Sequence, residues 1–170
     1  DCIYIEKYQV KFPRNKRNIN DAVMYKDTLW FATNLGMFYY DKNKRNLVKK
    51  SIGNKKLLSE NIKKLLLDRG ELWIATYKGL CKIKGNTLYN YNQKNGLICD
   101  QINTIIKDHN QKLWIGTNKG ISVFDQKNFI NLTTSRGLLS PFINVIFESS
   151  SNEIMVGSDK GVTIIDNNKP

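Results

Sequence analysis

Four copies of one short pattern, spaced 43, 41 and 41 residues apart, constrain the fold of this 170-residue chain more than any other feature. Leu29-Trp30-Phe31-Ala32-Thr33 is followed three positions later by Gly36, and Leu72-Trp73-Ile74-Ala75-Thr76 by Gly79. Leu113-Trp114-Ile115-Gly116-Thr117 leads to Gly120, and Ile154-Met155-Val156-Gly157-Ser158 to Gly161, with Met155 in the tryptophan place. Upstream of each copy lies an apolar, strand-like run, over 19–27, 62–68, 102–108 and 143–148, ending in Asp27, Asp68, Asp108 and Glu148. A leucine (Leu57, Leu97, Leu138) stands five residues before the first isoleucine of the last three runs, twice preceded by glycine. Self-similarity at a fixed period of this length marks a repeat architecture, in which each unit buries its apolar face on its neighbours.

Each unit reads as four short strands. The Ile-rich run is the first, and its terminal acid suits the following turn, where a carboxylate accepts backbone N–H groups. The Trp-bearing pentapeptide is the second strand. A two-residue connection ending in Gly36, Gly79, Gly120 or Gly161 follows, because a tight hairpin needs the positive φ that glycine adopts freely. The third strands are expected over 37–41, 80–84, 121–125 and 162–166, and the fourth over 47–51, 87–91 and 129–133. The stretch 59–68 opens like a helix, with Ser-Glu-Asn, but its register matches the other first strands and it is read as one. Four-stranded units of about 40–45 residues are the blades of β-propellers. The expected fold is therefore all-β: a single propeller domain of about four four-stranded blades. These cover approximately 19–51, 62–92, 102–134 and 143–166, with a partial blade at 1–13. Trp30, Trp73 and Trp114 read as a repeated inter-blade packing contact, since an indole buries about 150–250 Å².

Composition excludes several classes. No apolar run approaches the roughly 18 residues of a membrane helix, so this segment is not membrane-inserted. The net charge of +12 admits an anionic partner. However, 22 of the 27 basic residues are lysine, scattered from Lys7 to Lys169, and 21 asparagines accompany them, a pattern of compositional bias. The basic residues do not cluster with aromatics on one strand face, so nucleic acid is not an expected partner. Cys2, Cys81 and Cys99 lack metal-ligand spacing, and His109, the single histidine, sits in a polar turn-like stretch. No metal, cofactor or catalytic set is therefore expected.

Gly96-Leu97, five residues to Ile102, the apolar run to Asp108, Leu-Trp-Ile-Gly-Thr, then x-Lys-Gly and a strand ending in Asp125 resemble the two-component-regulator propeller repeat. The best match spans 96–125, with weaker copies from 19 to 166. The resemblance implies part of a periplasmic, ligand-sensing ectodomain of a sensor histidine kinase, non-catalytic in this segment. The ligands it suggests are oligosaccharides. Its alternatives are a protein–protein scaffold and, with weaker support, a lyase-type propeller enzyme. The runs at 3–5 and 8–12 look like third and fourth strands without a first or second. They either latch a four-bladed ring or mark a slice of a longer array, whose open edges would pair with further blades or a second copy.

A propeller ligand is expected at the channel mouth, where the loops entering first strands meet the hairpins between second and third strands. Asn34, Tyr77, Asn118 and Asp159 share one hairpin position. Lys78, Lys119 and Lys160 share the next, an arc of positive charge suited to an acidic sugar; x-Lys-Gly is equally a good turn. The entry-loop residues Glu60, Asn61, Asp100 and Gln101 would add hydrogen bonds to sugar hydroxyls.

Overall fold

The computed structural model describes residues 18–41, 43–44, 46–50 and 56–166, and they form four antiparallel meanders. The first sheet is β1 (Ile19–Tyr25), β2 (Thr28–Thr33), β3 (Gly36–Asp41) and β4 (Asn46–Lys49). The second is β5 (Ile62–Asp68), β6 (Glu71–Thr76), β7 (Gly79–Lys84) and β8 (Thr87–Tyr91). The third is β9 (Ile102–Lys107), β10 (Leu113–Thr117), β11 (Gly120–Phe124) and β12 (Phe129–Leu132). The fourth is the three-stranded β13 (Ile143–Glu148), β14 (Glu153–Ser158) and β15 (Gly161–Asp166). Strands pair in chain order within every sheet.

First strands pack on first strands, β1 on β5, β5 on β9 and β9 on β13, while β1 and β13 make no comparable contact among the described residues. The four sheets are thus consecutive propeller blades in an open arc, the inner strands lining the axis. The strand-like runs at 3–5 and 8–12 lie outside the described residues.

Three small cores replace a single central one, each filled from two adjacent blades. Ala32 and Met37 of the first blade meet Ile62, Leu65, Ile74 and Cys81 of the second. Trp73 meets Ile102, Ile105 and Leu113 of the third, and Trp114 meets Ile143, Ile146 and Ile154 of the fourth. The tryptophans are the inter-blade contact that their period predicts; both of these are 4% exposed. Burial pushes the Cys81 thiol up to about 11, the behaviour of a small core residue.

Turn chemistry is repeated with the blades. Thr33, Thr76, Thr117 and Ser158 each donate a hydroxyl hydrogen bond to the carbonyl of the hairpin glycine, at 2.7–2.9 Å. The same oxygens accept the N–H of Leu35, Lys78, Lys119 and Lys160. The terminal hydroxyl of Leu-Trp-Ile-Gly-Thr therefore closes the hairpin that follows it. The Gly-Leu marker has an equally local cause. Gly96 and Gly137 end short 3₁₀ turns, Gln93–Asn95 and Thr134–Arg136, that the sequence reading did not anticipate. Leu97 and Leu138 then drop into the inter-blade cores, 2% and 5% exposed.

Two first-strand ends differ from expectation. β1 stops at Tyr25, and Lys26-Asp27 form the turn, both at positive φ, as a two-residue hairpin requires. In the fourth blade Ser149, not Glu148, occupies the place of Asp108: Ser149 Oγ accepts the Glu153 N–H as Asp108 Oδ1 accepts that of Lys112.

Candidate functional site

The predicted mouth residues fall on one end of the blades, where the hairpins between second and third strands adjoin the entries to the first strands. Tyr77 N–H donates to the Asn61 carbonyl, and Asn118 N–H to that of Gln101. Of the predicted set, the structure joins three by side chain. Gln101 Nε2 donates to Tyr77 Oη at 2.8 Å, linking the second blade to the third, and Asn118 Nδ2 donates to Gln101 Oε1 at 2.9 Å. The remaining predicted residues are not part of this chain of bonds. Asn34 Oδ1 accepts the Asn18 N–H. Asp100 Oδ1 accepts the Gln93 N–H and so fixes the start of the 3₁₀ turn. Glu60 pairs with Lys49.

Lys78, Lys119 and Lys160 are exposed at equivalent turns of three consecutive blades, as is Asp159 beside the last of them. None of the three lysines forms a salt bridge among the described residues. Asn61, half-buried in the second blade's entry loop, has an Oδ1 with no hydrogen-bond partner among the described residues.

One residue type on this end went unread. Asn103 Nδ2 donates to the Ile143 carbonyl of the next blade at 2.9 Å, and Asn20 Nδ2 to the Ile62 carbonyl at 2.6 Å. The signal was present as Ile-Asn at the start of three first strands, Ile19-Asn20, Ile102-Asn103 and Ile143-Asn144.

The opposite end clasps blade to blade. Lys107 Nζ meets Asp68 Oδ1 at 2.6 Å, and His109 Nδ1 meets Glu148 Oε1 at 2.6 Å, with the His109 N–H also donating to that carboxylate. His109 is exposed in its turn, as its polar surroundings imply, and from there it also makes an inter-blade contact. Asp108 turns inward, accepting the Trp114 indole N–H at 2.8 Å. Asp68 and Glu148 thus tie neighbouring blades and Asp108 its own loop and indole, all at the end opposite the mouth.

Residues 96–119 match the family model described as two component regulator propeller. No curated protein matches the chain in sequence. In fold the chain is similar to the extracellular domain described for the hybrid two component system BT3049 of B. thetaiotaomicron. That likeness has 17% identity and a TM-score of 0.58, over 94% of this chain and 29% of that one. It is similar also to the extracellular domain described for the hybrid two component system BT4673 of the same organism (19%, TM-score 0.53, 94% and 29%). A streptogramin B lyase shares the fold at 13% identity and a TM-score of 0.68, over 98% of this chain and 57% of that one. The chain spans under a third of the length of the two bacterial ectodomains. It is a run of β-propeller blades whose residues 96–119 match the two component regulator propeller model.

Proposed function

We propose that this chain is a ligand-sensing segment of the extracytoplasmic propeller of a two-component regulator, non-catalytic in itself, with an oligosaccharide as its ligand. The observation that carries the reading is the repeat match at 96–119, supported by fold likeness to extracellular domains of two component systems. No helix of the described residues is long and apolar enough to cross a membrane. The mouth end supports a carbohydrate through its exposed Tyr77, its amide chain Gln101–Asn118 and the unpartnered Asn61 Oδ1. The lysine turns favour an acidic sugar. Reversing the charge of Lys78, Lys119 and Lys160 together is expected to abolish binding of uronic-acid or sulfated oligosaccharides in a calorimetric panel. Neutral glycans should be little affected, and unchanged affinity for the acidic ones removes the lysines from the site.

The partner of this segment is a further blade of the same repeat, seated on the fourth sheet. At one register position Val23, Leu66 and Ile106 each pack toward the next blade's core, whereas Phe147, the fourth member, is 61% exposed. Ile121 and Val123 are buried in the third inter-blade core, while their counterparts Val162 and Ile164 are 60% and 57% exposed. Asn144 repeats Asn20 and Asn103, which bind the next blade's carbonyl. In isolation the face is expected to take a second copy head to tail, because apolar patches of this kind seek cover. Light scattering should show a mass that rises with concentration and returns to the monomer on Phe147→Lys with Ile164→Lys. A strictly monomeric mass throughout counts against this partner.

A further inference from the structure

The three tryptophans occupy equivalent places, yet only two have an acceptor. Trp30 Nε1 donates to the Tyr25 carbonyl at 3.1 Å, and Trp114 Nε1 to Asp108 Oδ2 at 2.8 Å. Trp73 Nε1 is buried and has no hydrogen-bond partner among the described residues. A buried donor without an acceptor costs about 1–3 kcal/mol, so a single exception among repeated copies calls for a reason.

The reason is local competition for the acids. In the third blade Asp108 faces its own indole. In the second, Asp68 is taken by Lys107 of the next blade at 2.6 Å. The other nearby acid, Glu71, is shared by Lys84 at 2.8 Å and Lys82 at 3.3 Å. The hydrogen bond from Lys84, more than any other influence, holds the Glu71 carboxyl below its ordinary range. Both carboxylates are therefore committed to cations, and the indole N–H is left over.

It is left over beside a cavity. A groove of about 450 Å³ runs between the second and third blades, at the end opposite the hairpin mouth, and Trp73 lines it. The volume lies within the range of small-molecule sites. Four cations, Arg69, Lys82, Lys84 and Lys107, line it against two acids, Asp68 and Glu71, an excess of two positive charges. Lys82 Nζ also stands 5.0 Å above the Trp73 ring. Arg69 forms no salt bridge among the described residues; its Nη2 donates to the amide oxygen of Gln111 at 2.7 Å, across the groove's outer edge. Tyr91 and Phe124 supply an aromatic wall against Trp73, with ring centroids 5.8 Å and 6.0 Å from it.

From this we infer that the groove between the second and third blades is a binding site for a small oxyanion. The ligand carries a carboxylate, sulfate or phosphate group on a body of monosaccharide size. The Arg69 guanidinium and lysines 82 and 84 offset its charge, the aromatic wall holds its body, and binding opens the Trp73 indole N–H, which has no exposed surface in the free groove, to one of its oxygens. Charge-assisted bonds to a guanidinium are the stronger class, so Arg69 dominates affinity while the indole sets orientation. The site shares no residue with the hairpin mouth and does not depend on the oligosaccharide reading above.

The test uses the full chain and the three indole N–H signals in a proton–nitrogen correlation spectrum, assigned by single Trp→Phe variants. Glucuronate, inorganic sulfate and inorganic phosphate are titrated separately to about 10 mM, with glucose as the uncharged control. The Trp73 signal is expected to move with at least one anion and not with glucose, while those of Trp30 and Trp114 stay in place. Movement with glucuronate alone assigns a uronic-acid ligand, and movement with sulfate or phosphate assigns the inorganic group or its ester. Arg69→Asn, which keeps a residue tolerant of the turn's positive φ (45°), should weaken binding about 10–100-fold. Trp73→Phe should leave the fold intact, since no bond is lost, and weaken binding as read by calorimetry, by less than Arg69→Asn does. Reversing Lys78, Lys119 and Lys160 should leave the site unaffected, so failure here and failure at the mouth are separable. No movement of the Trp73 signal with any anion, equal movement with glucose, or equal movement of all three indoles overturns the proposal.

Discussion

Trp114→Ala is expected to lower stability by about 3–5 kcal/mol, the loss typical of truncating a large buried aromatic. Domains hold about 5–15 kcal/mol in all, so this is a large share. The indole is 4% exposed and fills the core between the third and fourth blades, against Ile143, Ile146 and Ile154. It also donates to Asp108, which is 3% exposed, and truncation leaves that carboxylate's Oδ2 without its indole donor. Trp114→Phe separates the two effects. It keeps most of the packing, so its cost, about 1–3 kcal/mol, reports the hydrogen bond. The damage should be local, because stacked repeats hold together through nearest-neighbour interfaces. Hydrogen exchange is the suitable measurement: protection should fall across β13–β15 while β5–β8 retain theirs. A uniform loss over all four sheets, or a cost under about 1 kcal/mol, would show that the blades do not share stability pairwise as their three separate cores imply.

Much of this was legible because a repeat states the same constraint several times. Hairpin glycine, closing hydroxyl and buried indole recur at one spacing, so the second and third strands could be placed almost to the residue from 29–41 onward. What escaped has two physical sources. Features of three residues, such as the 3₁₀ turns at Gln93–Asn95 and Thr134–Arg136, leave no periodicity to read. Contacts between blades depend on which partner wins a shared group. Asp68 and Asp108 are the same residue type at the same point of the repeat, yet one binds Lys107 and the other binds its own tryptophan. The length of the following turn contributes to that difference: Arg69-Gly70 is a two-residue hairpin, whereas Asp108 heads a longer loop closed by the Lys112 N–H. The candidate mouth was legible as a set of positions but not as a network. That Gln101 bridges Tyr77 and Asn118 requires the second and third blades to be in place.

A glycine series is expected to resolve why the hairpin position carries glycine in all four copies. Gly137 has φ +97 and open space where a Cβ would lie, so Gly137→Ala tests backbone strain alone, at about 1–2 kcal/mol. Gly116 is not at positive φ, but a Cβ there would come within 2.7 Å of methyl groups on Ile143 and Thr104. Gly116→Ala therefore tests crowding alone, at about 1–3 kcal/mol. Gly120 combines the two. Its φ is +126, and a Cβ would overlap the Leu132 carbonyl oxygen, which is backbone of the adjoining outer strand and cannot rotate away as a side chain would. Gly120→Ala should cost about 2–5 kcal/mol and exceed both single-cause variants when unfolding is followed in urea. The same substitution shifts the turn that presents Asn118 and Lys119, so the Asn118–Gln101 bond should weaken with it. If Gly120→Ala costs no more than Gly137→Ala, the carbonyl contact is relieved without loss and φ alone reserves the position. If it costs more, the glycine is fixed by the pairing of β11 with β12, and Gly79, where a Cβ would come within 2.6 Å of the Tyr91 carbonyl oxygen, shares the constraint through β8.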